Sequence, residues 1–300
     1  DIYMRSRGRK MMDVKNKAIE NIRNVPNKRP SVVLVPTLVR GLNDHQIGDI
    51  IRFAIKNMDV VRGVNFQPVA FTGRMEQEER EKGRYTIPDL VKDIEEQTGY
   101  AHKKDWYPVP SVVPISAYAS AFLGKDKVTF SAHPHCGLAT YWFVKDENNV
   151  IPITDFIEVE GLFDDLFELA KKTENSKVKK LSLLKAEKII KKHMIEDKIP
   201  DGMNTMQFIK MMTNVFNNET KEGLAKFSWN MLLVSAIHFQ DDYNYDVERV
   251  KRCVIHYVVP DGRIIPFCAY NGGPEYRAGV EKEFSVPLDE WRAKQGNEYT

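Results

Sequence analysis

Two short apolar runs, separated by a helical pattern, most constrain the fold of this 300-residue chain. The first is SVVLVPTLVRG at residues 31–41, and the second is VVRGVNFQPV at residues 60–69. The first run is continuous and rich in valine, which is typical of a strand covered on both faces in a parallel sheet. The second is also strand-like and ends at Pro68. The apolar residues between them recur at helical spacing: Ile47, Ile50, Ile51, Ala54 and Ile55. The pattern predicts an α/β fold that begins with a right-handed strand–helix–strand unit.

Polar residues follow the predicted strands at the places where such a unit binds its ligands. They lie at or after the carboxyl ends of the two strands: Arg40, Asn43, Asn65, Gln67 and Arg74. Asn and Gln amides can read the edge of a base, and an arginine can pair with a carboxylate. We predict a binding role for these five residues, with ordinary loop positions as the alternative.

Charge and cysteine usage exclude several classes of protein. The 44 basic and 42 acidic side chains nearly balance, so no overall field favours nucleic acid. Three cysteines cannot form the disulfide framework of a secreted protein, and neither a signal peptide nor an apolar stretch of membrane-spanning length is present. We therefore expect a cytoplasmic protein. Because the chain opens on Asp1 without a methionine, we also expect that its front is missing.

A proline-rich connector at residues 105–114, DWYPVPSVVP, predicts a boundary between two domains. Residues 1–105 form the first predicted domain, and residues 106–300 form an α+β second domain. Periodicity in the second part predicts three helices at 159–172, 177–194 and 203–217, and a strand at 232–239.

Two of the three cysteines flank a predicted β-hairpin. Cys253 and Cys268 lie on either side of Asp261-Gly262, a strong hairpin signal. If Pro260 and Arg263 close a two-residue turn, both sulfurs lie on one face at diagonal positions, roughly 7–8 Å apart between Cα atoms. That separation is too long for an unstrained disulfide and suits two thiolates that share a metal or a cluster.

The third cysteine stands in the sequence HPHCG, where Cys136 follows His133 and His135. Three thiols with a histidine such as His133, His135 or His238 would suit zinc, and three thiolates alone would suit an iron–sulfur cluster. The spacing does not choose between these two sites, and buried thiols without a metal are a further alternative.

Four segments carry a resemblance to a known family. SVVLVPTLVRGLNDHQIGDIIRFAIKNMDVVRGVNFQPVAFTGR resembles the C-terminal part of a radical S-adenosylmethionine barrel, in particular the archaeal tetraether lipid synthase subfamily. HPHCG, HFQDDYNYDVERVKRC and PDGRIIPFCAYN are similar to the C-terminal extension of that subfamily. These segments occur in the family's order and span most of the chain.

The resemblance implies the C-terminal part of a partial (β/α)6 barrel, followed by an α+β extension with an auxiliary cluster. Its cofactors would be S-adenosylmethionine and [4Fe-4S] clusters. Asn65 and Gln67 match the barrel strand beside the adenosine, and Arg40 and Asn43 match the preceding loop. The auxiliary-cluster cysteines of the family match three positions: Cys136, Cys253 and Cys268.

The reaction implied first is the joining of the terminal carbons of two phytanyl chains, through a 5′-deoxyadenosyl radical. Its partners would be an archaeal diether phospholipid and an electron donor such as a ferredoxin, with peripheral contact to a membrane. The alternative in the same chemistry is methylation of a 7,8-dihydropterin precursor of methanopterin. A zinc-stapled, non-catalytic binding domain is the alternative from a different class.

One departure from the family is plain. The CxxxCxxC segment that holds the radical-generating cluster does not occur in these 300 residues. We therefore expect that cluster to be held by residues outside this chain.

Overall fold

The predicted strand–helix–strand unit forms the start of a mixed sheet. We describe a computed structural model of the chain, which covers residues 2–26, 30–72, 78–174, 179–201, 203, 205–217, 230–272 and 276–295. Its strands are β1 (Val32–Leu34), β2 (Thr37–Leu38), β3 (Val61–Pro68), β4 (Tyr107–Pro108), β5 (Gly137–Asp146), β6 (Asn149–Pro152), β7 (Met231–Ile237), β8 (His256–Val258) and β9 (Ile264–Pro266).

The helices of the first half are α1 (Ile2–Arg7), α2 (Met12–Arg23), α3 (Ile47–Lys56), α4 (Glu78–Gly83), α5 (Ile87–Thr98) and α6 (Val113–Leu123). Those of the second half are α7 (Ile153–Phe156), α8 (Val159–Glu174), α9 (Lys179–Lys192), α10 (Thr205–Asn217), α11 (Val247–Lys251), α12 (Phe267–Gly272), α13 (Tyr276–Phe284) and α14 (Leu288–Gln295). The three helices predicted from periodicity correspond to α8, α9 and α10. None of the helices in the described ranges is long and apolar enough to cross a membrane.

Parallel pairing of β1 with β3 confirms the predicted unit. The first apolar run is interrupted after β1, so its second half forms β2, which also pairs with β3 in parallel. Val33 in β1 and Val35 just after it remain about half exposed, at 48% and 51%. The run is therefore less buried than its composition predicts.

The central sheet joins strands from distant parts of the sequence. Its order is β1–β3–β7–β5–β4, with β2 on β3 and β6 on β5. β7 runs parallel to β3 and antiparallel to β5, and Asn65 lies beside Ser235, which lies beside Ala139. The sheet thus combines strands from both sides of residue 105. This architecture is compatible with the predicted α/β class, and the barrel and the two-domain division stay predictions.

The first hydrophobic core covers one face of this sheet. Val64 and Phe66 of β3 point to the same side as Val234 of β7, and all three side chains are fully buried. They pack against apolar residues of α3 and α5, among them Ile51 and Leu90. Burial of these side chains therefore holds β3 and β7 in register.

The second core lies on the opposite face, at one end of the sheet only. Phe143 of β5 and Met231 of β7 are paired there. They pack with residues of α6, α8, α9 and α10. Met203 and Phe208 are part of this core, whereas Met206 is 57% exposed.

The C-terminal hairpin differs from its prediction by one residue. Val258 pairs with Ile264, and the backbone N–H of Val259 donates to the carbonyl of Arg263 at 3.0 Å. The loop therefore has three residues, 260–262, rather than two. Gly262 adopts a left-handed conformation with φ of 85°, which is typical of a three-residue loop closed by a glycine bulge. The predicted two-residue turn is therefore wrong, because Asp-Gly suits both loop lengths.

The hairpin strands are also shorter than predicted. Cys253 precedes β8, and Cys268 lies in the first turn of α12, so neither cysteine is on a strand. Residues 128–133, VTFSAH, also contain no regular strand, although valine, threonine and phenylalanine favour one, and Phe130 has a positive φ of 50°.

Replacement of Phe66 tests the first core. We expect Phe66→Ala to lower the free energy of unfolding by about 3–5 kcal/mol, because the fully buried ring leaves a cavity. Phe130→Ala is the matched control, since that ring is 44% exposed in a loop and its loss should cost less than about 1 kcal/mol. Urea unfolding followed by circular dichroism measures both values. Equal losses in the two variants would contradict the assignment of Phe66 to the core.

Candidate functional site

The carboxyl ends of β3 and β7 lie along the same edge of the sheet as the start of β5. Because β5 runs antiparallel to β7, its first residue, Gly137, pairs with Ile237 at the end of β7. The backbone N–H of His238 donates to the carbonyl of Cys136 at 3.0 Å. This edge therefore brings together the end of the predicted binding strand and one of the predicted metal ligands.

A buried carboxylate organises this edge. Asp241 follows β7 and has no exposed surface. Its carboxylate accepts a hydrogen bond from the backbone N–H of Phe71 at 2.9 Å, and two from the guanidinium of Arg84 at 2.7 and 3.1 Å. The backbone N–H of Tyr243 donates to the same group at 3.1 Å. Asp241 thus ties together the segments after β7, after β3 and before α5.

The electrostatics of Asp241 follow from these donors. Burial alone raises the pKa of its carboxyl, but the hydrogen bonds from Arg84 and Phe71 outweigh burial, and the net pKa is lowered. The carboxylate is therefore ionised at neutral pH. The guanidinium of Arg84 also lies 4.9 Å from the centre of the Phe71 ring, which is a favourable cation–π contact.

Arg40 extends this network rather than standing free. Its Nε donates to the carbonyl of Arg84 at 2.9 Å, and its Nη2 lies 2.7 Å from the carboxylate of Asp89. Asp89 also accepts from the backbone N–H of Thr86, whose side chain caps α5 in return. The predicted ligand-binding arginine is therefore engaged in holding the start of α5.

Asn43 has a comparable structural role. Its side chain is 9% exposed, accepts from the backbone N–H of Val39 at 2.9 Å, and donates to the carbonyl of Thr37 at 2.8 Å. Both contacts close the loop after β2. Arg74 lies outside the described residues, so its predicted role has no structural counterpart here.

Asn65 and Gln67 lie on the second face of the sheet, opposite the first core. The side chain of Asn65 accepts a hydrogen bond from the hydroxyl of Ser235 at 3.1 Å. Both are half-buried, although β3 is an interior strand of the sheet. Of the predicted binding residues, these two present amide groups to an uncovered surface.

The three cysteines come near one another at the same edge. The thiol of Cys268 accepts from the backbone N–H of Gln240, with 3.4 Å between sulfur and nitrogen. Burial raises the pKa of the Cys268 thiol, and negative charge on Cys253 or Cys136 raises it further. Cys253 donates its S–H to the carbonyl of Ile255 at 3.0 Å. The three thiols are thus within electrostatic reach of one another.

Their arrangement is not a preformed metal site. No group of three His, Cys, Asp or Glu side chains in the described ranges is placed so as to hold a metal ion. The cysteines fit an iron–sulfur cluster in their chemistry and shared location, but not in ligand geometry. His133 and His135 instead contact each other, with ring centres 4.8 Å apart.

His238 is the most perturbed histidine at this edge. Burial first, and then the charges of Arg249 and Arg84, lower its pKa to about 4, so its ring is neutral at pH 7. Its Nε2 is buried and has no hydrogen-bond partner in the part of the chain that the structure covers. Arg249, itself buried, donates to the carbonyl of His238 at 2.6 Å.

Only part of this network could be recognised from the sequence. Asp241 is recognisable as a carboxylate directly after an apolar strand, which is where α/β folds concentrate functional residues. Its partner Arg84 carries no such signal, because it lies 157 positions away and precedes a helix. Ser235 was also not predicted, because a serine inside an apolar strand has no recognisable role until its cross-strand neighbour is known.

Comparison with known proteins adds one close similarity. The chain is 46% identical over 292 residues to a 7,8-dihydro-6-hydroxymethylpterin dimethyltransferase of Methanocaldococcus jannaschii. The alignment covers 97% of this chain and 57% of that relative, so the chain spans little more than half of the relative's length. No protein-family model matches the chain.

Neutralising Asp241 tests its organising role. We expect Asp241→Asn to lower the free energy of unfolding at pH 7 by about 3–5 kcal/mol, because the amide leaves Arg84 without its buried counterion. The matched control is Glu290→Gln, which breaks the exposed ion pair with Lys294 and should cost less than about 1 kcal/mol. Urea unfolding of both variants measures the difference.

The same variant should change the response to acid. Since the folded-state pKa of Asp241 lies below its ordinary value of 3.8, its stabilisation is present above about pH 4 and is lost as pH falls through the folded-state pKa. The difference in the free energy of unfolding between the natural chain and Asp241→Asn should therefore stay constant from pH 7 to about pH 4 and become smaller below about pH 4. A difference that stays constant below about pH 4 would contradict an ionised Asp241.

Proposed function

We propose that this chain is part of a radical S-adenosylmethionine enzyme that methylates a 7,8-dihydropterin. The observation that carries the proposal is the 46% identity, along nearly the whole chain, to a dihydropterin dimethyltransferase. The resemblance of residues 31–74 to a radical S-adenosylmethionine barrel supports the same chemistry. Methylation was the alternative to lipid coupling in the sequence analysis, and the relative favours this alternative.

The packing of the helices also speaks against the lipid reaction. Two long alkyl chains need an extended apolar tunnel, whereas a pterin needs a flat pocket with a few polar groups. Phe163, Leu169 and Met203 are apolar side chains of the kind that could line such a tunnel, but they pack into the second core. The half-buried amides of Asn65 and Gln67 are better suited to a polar heterocycle.

Asn65 and Gln67 are the residues that we propose to contact the adenosine of S-adenosylmethionine. Within the described residues, the side chain of Gln67 makes no hydrogen bond and that of Asn65 contacts Ser235, so both have donor and acceptor capacity to spare. Arg40 and Asn43 would act mainly by shaping the loop that borders this site, because their polar atoms already have partners.

We propose that the enzyme holds two iron–sulfur clusters, one on residues outside this chain and one on the cysteines of this chain. When bound, the radical-generating [4Fe-4S] cluster supplies the electron that cleaves S-adenosylmethionine, and we propose that residues outside this chain hold it. We propose that Cys136, Cys253 and Cys268 hold an auxiliary cluster, which their proximity at one edge supports. An electron donor such as a ferredoxin is part of the same proposal.

A substrate comparison tests the proposal. The full-length protein, reconstituted without oxygen, is incubated with S-adenosylmethionine and dithionite, and with either 7,8-dihydro-6-hydroxymethylpterin or a diether phospholipid. We expect 5′-deoxyadenosine and a methylated pterin in the first reaction, and background levels in the second. Mass spectrometry detects both products, and a reaction without S-adenosylmethionine is the control. Turnover of the lipid alone would overturn the proposal.

Metal analysis of the same preparation tests the cluster assignment. We expect iron and acid-labile sulfide, with less of both in a Cys136→Ser, Cys253→Ser, Cys268→Ser triple variant. Zinc without acid-labile sulfide would instead support a zinc-stapled domain without catalytic function.

A further inference from the structure

The second face of the sheet has a surface whose side chains are only partly buried, on β3, β7 and β5. Three rows of side chains cross β3, β7 and β5 on this face, and the row nearest the carboxyl edge is Gln67, Ile237 and Gly137. The middle row is Asn65, Ser235 and Ala139, and the last row is Gly63, Leu233 and Tyr141. Side chains two residues apart share a face, so the rows together measure roughly 14 by 10 Å.

We call this surface the open face. Glycines make it shallow, and the second core closes it at one end. Two of its nine positions are glycines that the packing requires, because a Cβ at Gly137 would lie 2.6 Å from a backbone oxygen and one at Gly63 would lie 3.1 Å from another. The next row beyond Tyr141 is Phe143 and Met231, which the second core covers. The open face therefore resembles a shallow trough that leads from the carboxyl edge to Tyr141.

Tyr141 is unusual for its position. It stands on β5, between two hydrogen-bonded neighbours, yet 45% of its surface is exposed. Desolvation by the surrounding protein atoms nevertheless raises the pKa of its hydroxyl. The hydroxyl has no hydrogen-bond partner among the described residues. A half-exposed tyrosine whose hydroxyl is free to donate a hydrogen bond is well suited to a flat, polar ligand.

We propose that Tyr141 is a specificity-determining residue that binds the substrate's flat heterocycle at the closed end of the open face. This inference rests on the proposed pterin methylation and adds a residue to it. The hydroxyl of Tyr141 donates to an acceptor nitrogen or oxygen of the heterocycle, and its ring packs against the substrate. Asn65 lies one row and Gln67 two rows nearer the edge, and both remain available to the cofactor. The two ligands therefore lie end to end along the trough.

Removal of the hydroxyl alone gives the sharpest test. In the full-length holoenzyme, we expect Tyr141→Phe to weaken binding of 7,8-dihydro-6-hydroxymethylpterin by about 3- to 10-fold, the effect of one hydrogen bond. The affinity for S-adenosylmethionine and the urea midpoint should not change. Anaerobic equilibrium dialysis measures the two affinities. Tyr276→Phe is the matched control, because Tyr276 is 46% exposed and lies outside the sheet.

The outcomes separate this inference from the function on which it rests. If the unaltered holoenzyme does not bind the pterin, the proposed function fails and the inference fails with it. If the unaltered enzyme binds and Tyr141→Phe binds equally well, the inference alone is overturned. Weaker binding of S-adenosylmethionine with unchanged pterin affinity would also overturn it, because Tyr141 would then belong to the cofactor end.

Discussion

The ionised carboxylate of Asp241 is the interaction on which the rest of this structure depends. A fully buried charge is costly unless every part of it is satisfied. Here four hydrogen bonds satisfy it, and they come from Phe71, Arg84 and Tyr243. The segments after β3, before α5 and after β7 therefore cannot move independently. Arg40, Asn65 and the edge that contains Cys136 are positioned by elements that this one group connects.

Local sequence patterns were sufficient to predict the helices and strands whose signal lies within a short stretch of neighbouring residues. The valine-rich runs predicted β1 and β3, and the apolar period predicted α8. The place of β7 between β3 and β5 was not predictable in the same way. Residues 65 and 235 are 170 positions apart, and their pairing depends on a sheet order that no local pattern specifies.

The candidate site was predictable in its composition and not in its geometry. Asn65, Gln67 and Cys136 were named from their types and positions, and they lie near one edge, as parallel strands require. The relation between Cys253 and Cys268 depended on a turn, and a change of one residue in that turn altered the register. Arg40 shows a further limit of prediction from the sequence. As an arginine after a strand it was predicted to bind a ligand, but its salt bridge with Asp89 could not be recognised in the sequence.

The edge strand β1 has a practical consequence for work on these residues. Within the described ranges it pairs only with β3, so its other side presents unpaired N–H and carbonyl groups beside the half-exposed Val33 and Val35. An uncharged valine edge of this kind is a template for strand addition between molecules. We therefore expect self-association through β1 at high protein concentration, and Val33→Lys should reduce it.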